Sequence, residues 1–154
     1  MNLDERVVDY ELATSHFLEA VEAVNDANVD RHVEGGWSAR QIIHHVADSE
    51  AQSYARLRRL LAEPNGSAIQ GYDEAAWAEC HALGYRELAP EHSLSVFTAV
   101  RRASIDVLAR VTPDDLNRHG EHSESGRYTL ADWLDIYCQH PRDHAAQLLE
   151  AIGA

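Results

Sequence analysis

The sequence predicts an all-α protein, a four-helix bundle with a longer crossover between the second and third helices. Three observations carry this. Apolar residues recur every three or four positions in four separate stretches, the spacing of a helix with one buried face. Two of those stretches open on complete helix-start signals. The segments between them are polar and marked by Gly or Pro, as connections are. At 154 residues the chain is long enough to bury a substantial core without staples, and residues 1–154 read as one domain.

The first helix is predicted from about Asp4 to Val29, where Val7, Tyr10, Phe17, Leu18, Val21 and Val24 share a face. His16 beside this stripe reads as a core neighbour. Asn25 to Gly36 is polar and ends in a Gly pair, so the chain turns there. In the second helix Ser38 serves as cap, Gln41 completes a capping box, and Trp37 can staple onto Ile42. Ile42, Ile43, Val46, Ala47, Tyr54, Leu57, Leu60 and Leu61 supply its core stripe, and it stops before Pro64-Asn65-Gly66. Arg56, Arg58 and Arg59 suit the negative end of its dipole.

Ser67 to Ala89 reads as an irregular, aromatic-rich crossover with a short helical piece at Asp73 to His81. The third helix, from about Pro90 to Val111, carries Phe97, Val100, Ser104, Val107, Leu108 and Val111 on one face and reads as purely structural. Thr112-Pro113-Asp114-Asp115 reads as a capped single turn with Pro in the first helical position. Asn117 to Tyr128, with His119, Glu121, His122 and Glu124, reads as a solvated surface loop; its residue types bind metal, but nothing fixes their geometry. The fourth helix starts on Thr129 with Asp132 completing the box and Tyr128 placed to staple onto Trp133. Pro141 breaks its pattern and should kink or loosen the turn, at about 3 kcal/mol in a regular helix.

Composition narrows the function classes. A formal net charge of −13 argues against nucleic acid and against anionic membrane surfaces. No apolar run approaches the roughly 18 residues of a membrane span, and the acidic N-terminus lacks the apolar core of a signal peptide. Cys80 and Cys138 lie far apart, outside any metal-ligand spacing, so a reducing cytoplasm is the expected compartment. Cys138 lies about 200° round the helix from His140 and reads as a small core residue.

The chemistry concentrates in Gln139-His140-Pro141-Arg142-Asp143-His144. His140 and His144 are at i and i+4, so they project from one helix face and can grip one ion. Among ten histidines such a spacing arises by chance. His44 and His45 in the second helix sit about 100° apart, so only one of them can face the same site. His45, Asp48 and Gln52 share a face at i, i+3 and i+7. Three imidazoles from two helices would leave coordination positions open, as in catalytic sites. The other reading is that these histidines border the core and bond to backbone. The residues alone leave both open.

Gly36-Trp37-Ser38-Ala39-Arg40-Gln41-Ile42-Ile43-His44-His45-Val46-Ala47-Asp48-Ser49 resembles the first motif of the DinB-like superfamily, and within it the YfiT-type branch of metal-dependent hydrolases and bacillithiol S-transferases. Tyr72-Asp73-Glu74-Ala75-Ala76-Trp77-Ala78-Glu79 is similar to a second segment of that branch. Gly126-Arg127-Tyr128-Thr129-Leu130 followed by the His140/His144 pair is similar to a third. The resemblance implies an antiparallel four-helix bundle, often a homodimer, holding one divalent metal through His45, His140 and His144. Asp143, where the family often has another histidine, and Pro141 depart from its pattern without removing a ligand.

The resemblance implies activation of either a low-molecular-weight thiol, for transfer to a small electrophile, or water, for hydrolysis of an ester or amide. A third reading is a non-catalytic, metal-binding stress-response protein. Imidazole suits zinc, nickel, iron or copper, with zinc or nickel the expected ion. Asp48, Gln52 and Tyr137 are candidate proton-handling residues by helical proximity to the ligands, as is Gln147.

Overall fold

A computed structural model describes all residues, Met1–Ala154. Its four long helices are α1 (Leu3–Glu22), α2 (Ala39–Ala62), α4 (Glu91–Leu108) and α5 (Leu130–Ile152). Short elements complete it: strand β1 (Ser67–Ile69), helix α3 (Glu74–Glu79), and strands β2 (His119–His122) and β3 (Gly126–Thr129). The four-helix bundle is therefore as expected, with a small sheet added at one end. No helix is long and apolar enough to cross a membrane.

The start signals behave as their chemistry dictates. Ser38 accepts from the Gln41 amide while the Gln41 side chain accepts from the Ser38 amide, and Thr129 and Asp132 repeat the arrangement. Over the 3-10 turn Pro113–Asn117, the capped turn expected, the Asp115 carboxylate accepts from both the Thr112 amide and the Thr112 hydroxyl. Helix α1 ends at Glu22 rather than near Val29. Asn25 draws the Ala27 and Asn28 amides onto its side chain and Asn28 bonds back to the Ala23 carbonyl, a local alternative to the helix ladder.

The segment expected to be a loop at Asn117 to Tyr128 is instead the β2–β3 hairpin, and β1 from the crossover pairs parallel to β2, with Ala68 opposite Glu121. Gly120 is required there: a Cβ would stand 2.6 Å from the Ile69 side chain and 2.8 Å from the Ser67 carbonyl. Of the α2 arginines, Arg59 stands in the last turn as expected and pairs there with Glu63. The terminal carbonyls Leu60 and Glu63 are taken by Arg118 from outside the helix. Arg56 reaches the Gln70 carbonyl and the Tyr137 hydroxyl instead. Tyr54, placed in the core stripe by periodicity, is exposed and lies under the Arg58 guanidinium.

Two apolar clusters set the helix directions. One gathers Tyr10, Leu57, Leu108, Trp133 and Tyr137; the other gathers Phe17, Ile43, Phe97, Ala145 and Leu148. Along α1 and α5 the chain runs from the first cluster to the second, and along α2 and α4 from the second to the first. The helices are thus opposed as two pairs, with α1 packed against α5, α5 against α2, and α2 against α4. Because α2 and α4 run the same way, the chain must return the length of the bundle between them, which is why that crossover is long.

Between the clusters lies a polar layer. Arg101 and Glu50, essentially without solvent exposure, form an ion pair at 3.0 Å. The same guanidinium donates to the Tyr137 carbonyl, the Tyr10 carbonyl and the Thr14 hydroxyl, each at 2.8 Å. It stacks 3.4 Å above the Tyr10 ring. This explains how α5 tolerates Pro141. Proline offers no N–H to the carbonyl four residues back, and that carbonyl, Tyr137, takes its bond from Arg101. Helix α5 consequently runs unbroken through the position where loosening was expected.

Breaking one side of a buried, fully bonded pair strands the other charge. Arg101→Met and Glu50→Gln should each destabilise the fold by about 3–5 kcal/mol. The double variant Arg101→Met/Glu50→Gln should lose less than the sum of its single variants, as read from urea unfolding of the four proteins.

Candidate metal centre

His45 projects from the second turn of α2, and His140 and His144 from consecutive turns of α5. Their Nε2 atoms converge: His45 to His144 is 3.1 Å, His45 to His140 is 3.3 Å and His140 to His144 is 3.0 Å. No N–H can satisfy three mutually facing lone pairs at once, so the cluster calls for a cation. Nitrogens each about 2.0–2.1 Å from one ion stand about 3.0 Å apart at a right angle and about 3.4 Å apart at a tetrahedral one. The observed separations lie within that range. Among His, Cys, Asp and Glu side chains, this is the group whose ligand atoms all lie within 4.8 Å of one another.

The environment keeps these imidazoles neutral, the form that coordinates. Burial, then the charge on His144, lowers His45 to about 4. Burial, followed by His144, His45 and Arg101, lowers His140 to about 2. Burial also lowers His144, opposed by Gln147 and Asp143. His144 donates from Nδ1 to the Gln147 side-chain oxygen at 2.7 Å, which fixes its tautomer and leaves Nε2 aimed at the other two rings. The Trp37 ring, packed against the apolar cluster that contains Ile42, sits 4.9 Å from that of His45, and the Tyr137 ring lies 6.3 Å from that of His140.

The other candidate residues are distributed unevenly. Tyr137 walls the site, with its hydroxyl accepting from Arg56 at 3.3 Å. Asp48 is turned toward the crossover, where it accepts a short hydrogen bond from the Tyr85 hydroxyl. Gln52 is half-buried one turn beyond Asp48 on α2. His44 faces away from the site, toward Leu88 and Ser93, as the 100° offset requires. Cys138 is a free thiol in the core, pushed up to about 12 mainly by burial, and Cys80 is exposed in the crossover. His119 and His122 lie on β2, away from this cluster. Sequence reasoning passed over Arg101 and Glu50, which stand behind the histidines. The available signal was a charge of each sign on a core-facing stripe, at Val46-Glu50-Leu57 and Phe97-Arg101-Leu108.

Comparison with known proteins gives a consistent picture. The sequence profile of the DinB superfamily matches residues 9–148. An inferred metal-dependent hydrolase of Oceanobacillus iheyensis is 37% identical over 114 residues, 74% of this chain and 64% of that protein. The chain therefore spans less than two thirds of that relative. An inferred metal-dependent hydrolase of Bacillus mycoides is 30% identical over 147 residues, 95% of this chain and 83% of that protein. The structure of YfiT from Bacillus subtilis, described as a probable metal-dependent hydrolase with an unusual four-helix bundle topology, superposes with a TM-score of 0.85 at 29% identity, covering 97% of this chain and 85% of that one.

Two predictions follow from the geometry. Gln147→Leu should weaken divalent-metal binding about 10–100-fold while leaving the fold intact, as read by chelator competition. A second concerns pH. The depressed histidines bind fewer protons folded than unfolded, so their stability contribution is complete above about pH 6.5 and is lost as pH falls through the folded values. The urea midpoint of chelator-treated protein should fall between pH 7 and pH 5, and His140→Phe should flatten that dependence.

Proposed function

The chain belongs to the DinB superfamily, and from that premise we propose that it is a metal-dependent enzyme acting on a small molecule, with His45, His140 and His144 holding one divalent transition-metal ion. The convergence of three Nε2 atoms at 3.0–3.3 Å is the observation that carries this reading. Zinc or nickel suits a neutral three-imidazole set. When bound, the ion supplies Lewis acidity and lowers the pKa of water or of an added thiol.

The protein's own residues then do the following. Three neutral imidazoles leave the ion's full charge in place and, being only three, leave room for a reactant. Gln147 holds His144 in the coordinating tautomer. The rings of Trp37 and Tyr137 wall the site and limit access of bulk water. Asp48 and Gln52 follow His45 on α2 at i+3 and i+7 and are assigned to proton handling, Asp48 from the crossover side, where Tyr85 orients it. Hydrolysis of an ester or amide is the reading that the relatives' names support. Transfer of a low-molecular-weight thiol uses the same ligands, and the thiol would have to be supplied from outside. Cys138 is too buried and too weak an acid to serve, and Cys80 stands in the crossover.

The test is elemental analysis of protein purified without a polyhistidine tag, followed by assay. Wild type should carry about one divalent ion per chain, and His45→Ala and His144→Ala should each lose it. Loaded wild type should hydrolyse model esters without thiol, and faster than the chelator-treated protein does; turnover of a model electrophile only with added thiol would favour the transferase. Metal retained in both variants would contradict the site.

A further inference from the structure

The histidine that turns away from the metal centre has a partner of its own. His44 is buried, its Nδ1 lies 2.6 Å from the Ser93 hydroxyl, and its Nε2 lies 2.9 Å from the Leu88 carbonyl. A carbonyl only accepts, so Nε2 carries the proton and the Nδ1 lone pair receives the hydroxyl hydrogen of Ser93. The order is hydroxyl, base, and a group that orients the base, which is the arrangement that activates a serine. The Tyr85 ring, 5.7 Å from that of His44, packs beside it.

The surroundings extend the resemblance to a reactive site. Ser93 lies in the first turn of α4, and that helix begins on Pro90 with no side-chain cap, whereas Asn2, Ser38 and Thr129 cap the other three long helices. The first-turn amides of α4 beside Ser93 thus lack a capping acceptor and stand at the positive end of the dipole, where developing negative charge is stabilised. A cavity of about 320 Å³ opens at this point, lined by His44, Ser93, Asp48, Tyr85, Leu83 and Leu88. Leucine and tyrosine walls with a few convergent polar groups suit a small ligand with an apolar part.

We propose that Ser93, paired with His44, is a second and metal-independent nucleophile that accepts an acyl group from a small, apolar activated ester. The Ser93 oxygen bonds to the acyl carbon as the ester's carbon–oxygen bond breaks. The serine proton passes to His44 Nδ1 and then to the departing alkoxide. Water, giving its proton to His44 in the same way, releases the acyl group as a carboxylic acid and restores the serine.

A short-chain alkyl fluorophosphonate tests this on the full-length protein, because its phosphorus bonds to an activated serine oxygen with loss of fluoride. The expected result is a single adduct mapped to Ser93 by peptide mass spectrometry, formed equally fast with or without chelator. His44→Gln keeps an acceptor for Ser93 and a donor for Leu88 but removes the base, and should slow labelling about 100-fold or more. No adduct at Ser93, or an unchanged rate in His44→Gln, would overturn the proposal. So would labelling that follows metal content, which would return the reactivity to the three-histidine centre.

Discussion

The Arg101 guanidinium touches every long helix of the bundle: Thr14 and the Tyr10 carbonyl on α1, Glu50 on α2, its own α4, and the Tyr137 carbonyl on α5. Burying an arginine is favourable only where its donors are satisfied and its charge is matched. Four helices must therefore meet in one register for the pair to form. A slip of one turn in any of them would leave a charge or a carbonyl stranded in the core. Hydrophobic burial supplies most of the stabilisation at either end, but it is indifferent to small slips. The polar layer is what makes the register unique.

The candidate metal centre inherits that register. His45 precedes Glu50 on α2, and His140 and His144 follow Tyr137 on α5, so the residues that fix the two helices lie within two turns of those that converge. Pro141 belongs to the same arrangement. By withholding an N–H it frees the Tyr137 carbonyl for Arg101, and the helix stays continuous between the two histidines. The guanidinium's positive charge also disfavours protonation of His140, which keeps that imidazole available for coordination. Structural charge and ligand chemistry thus support each other across one layer.

Much of this was legible in the chain. Capping boxes announce themselves locally, because cap and partner are three residues apart, and both Ser38/Gln41 and Thr129/Asp132 formed as read. The His140/His144 spacing survived because helix geometry alone sets it, and His45 joined them through the motif around it. The hairpin at His119–Thr129 was not legible: its strands are short and polar and show no alternation, and β2 has one of its two partners, β1, in a segment distant in sequence. The Glu50–Arg101 pair spans 51 positions, so only tertiary structure joins it, although two opposite charges inside apolar stripes hinted at it. The end of α1 was missed because two asparagines outcompeted a helical pattern that apolar spacing carried onward to Val24.

On the reading proposed, three imidazoles, and no other side chains, hold the ion. Metal-edge X-ray absorption on the loaded protein examines that claim directly. The expected shell is three imidazole nitrogens at about 2.0–2.1 Å, with the remaining positions filled by oxygen from solvent. A shell containing sulfur, or fewer than three imidazoles, would contradict it and require the ion to sit elsewhere in the fold.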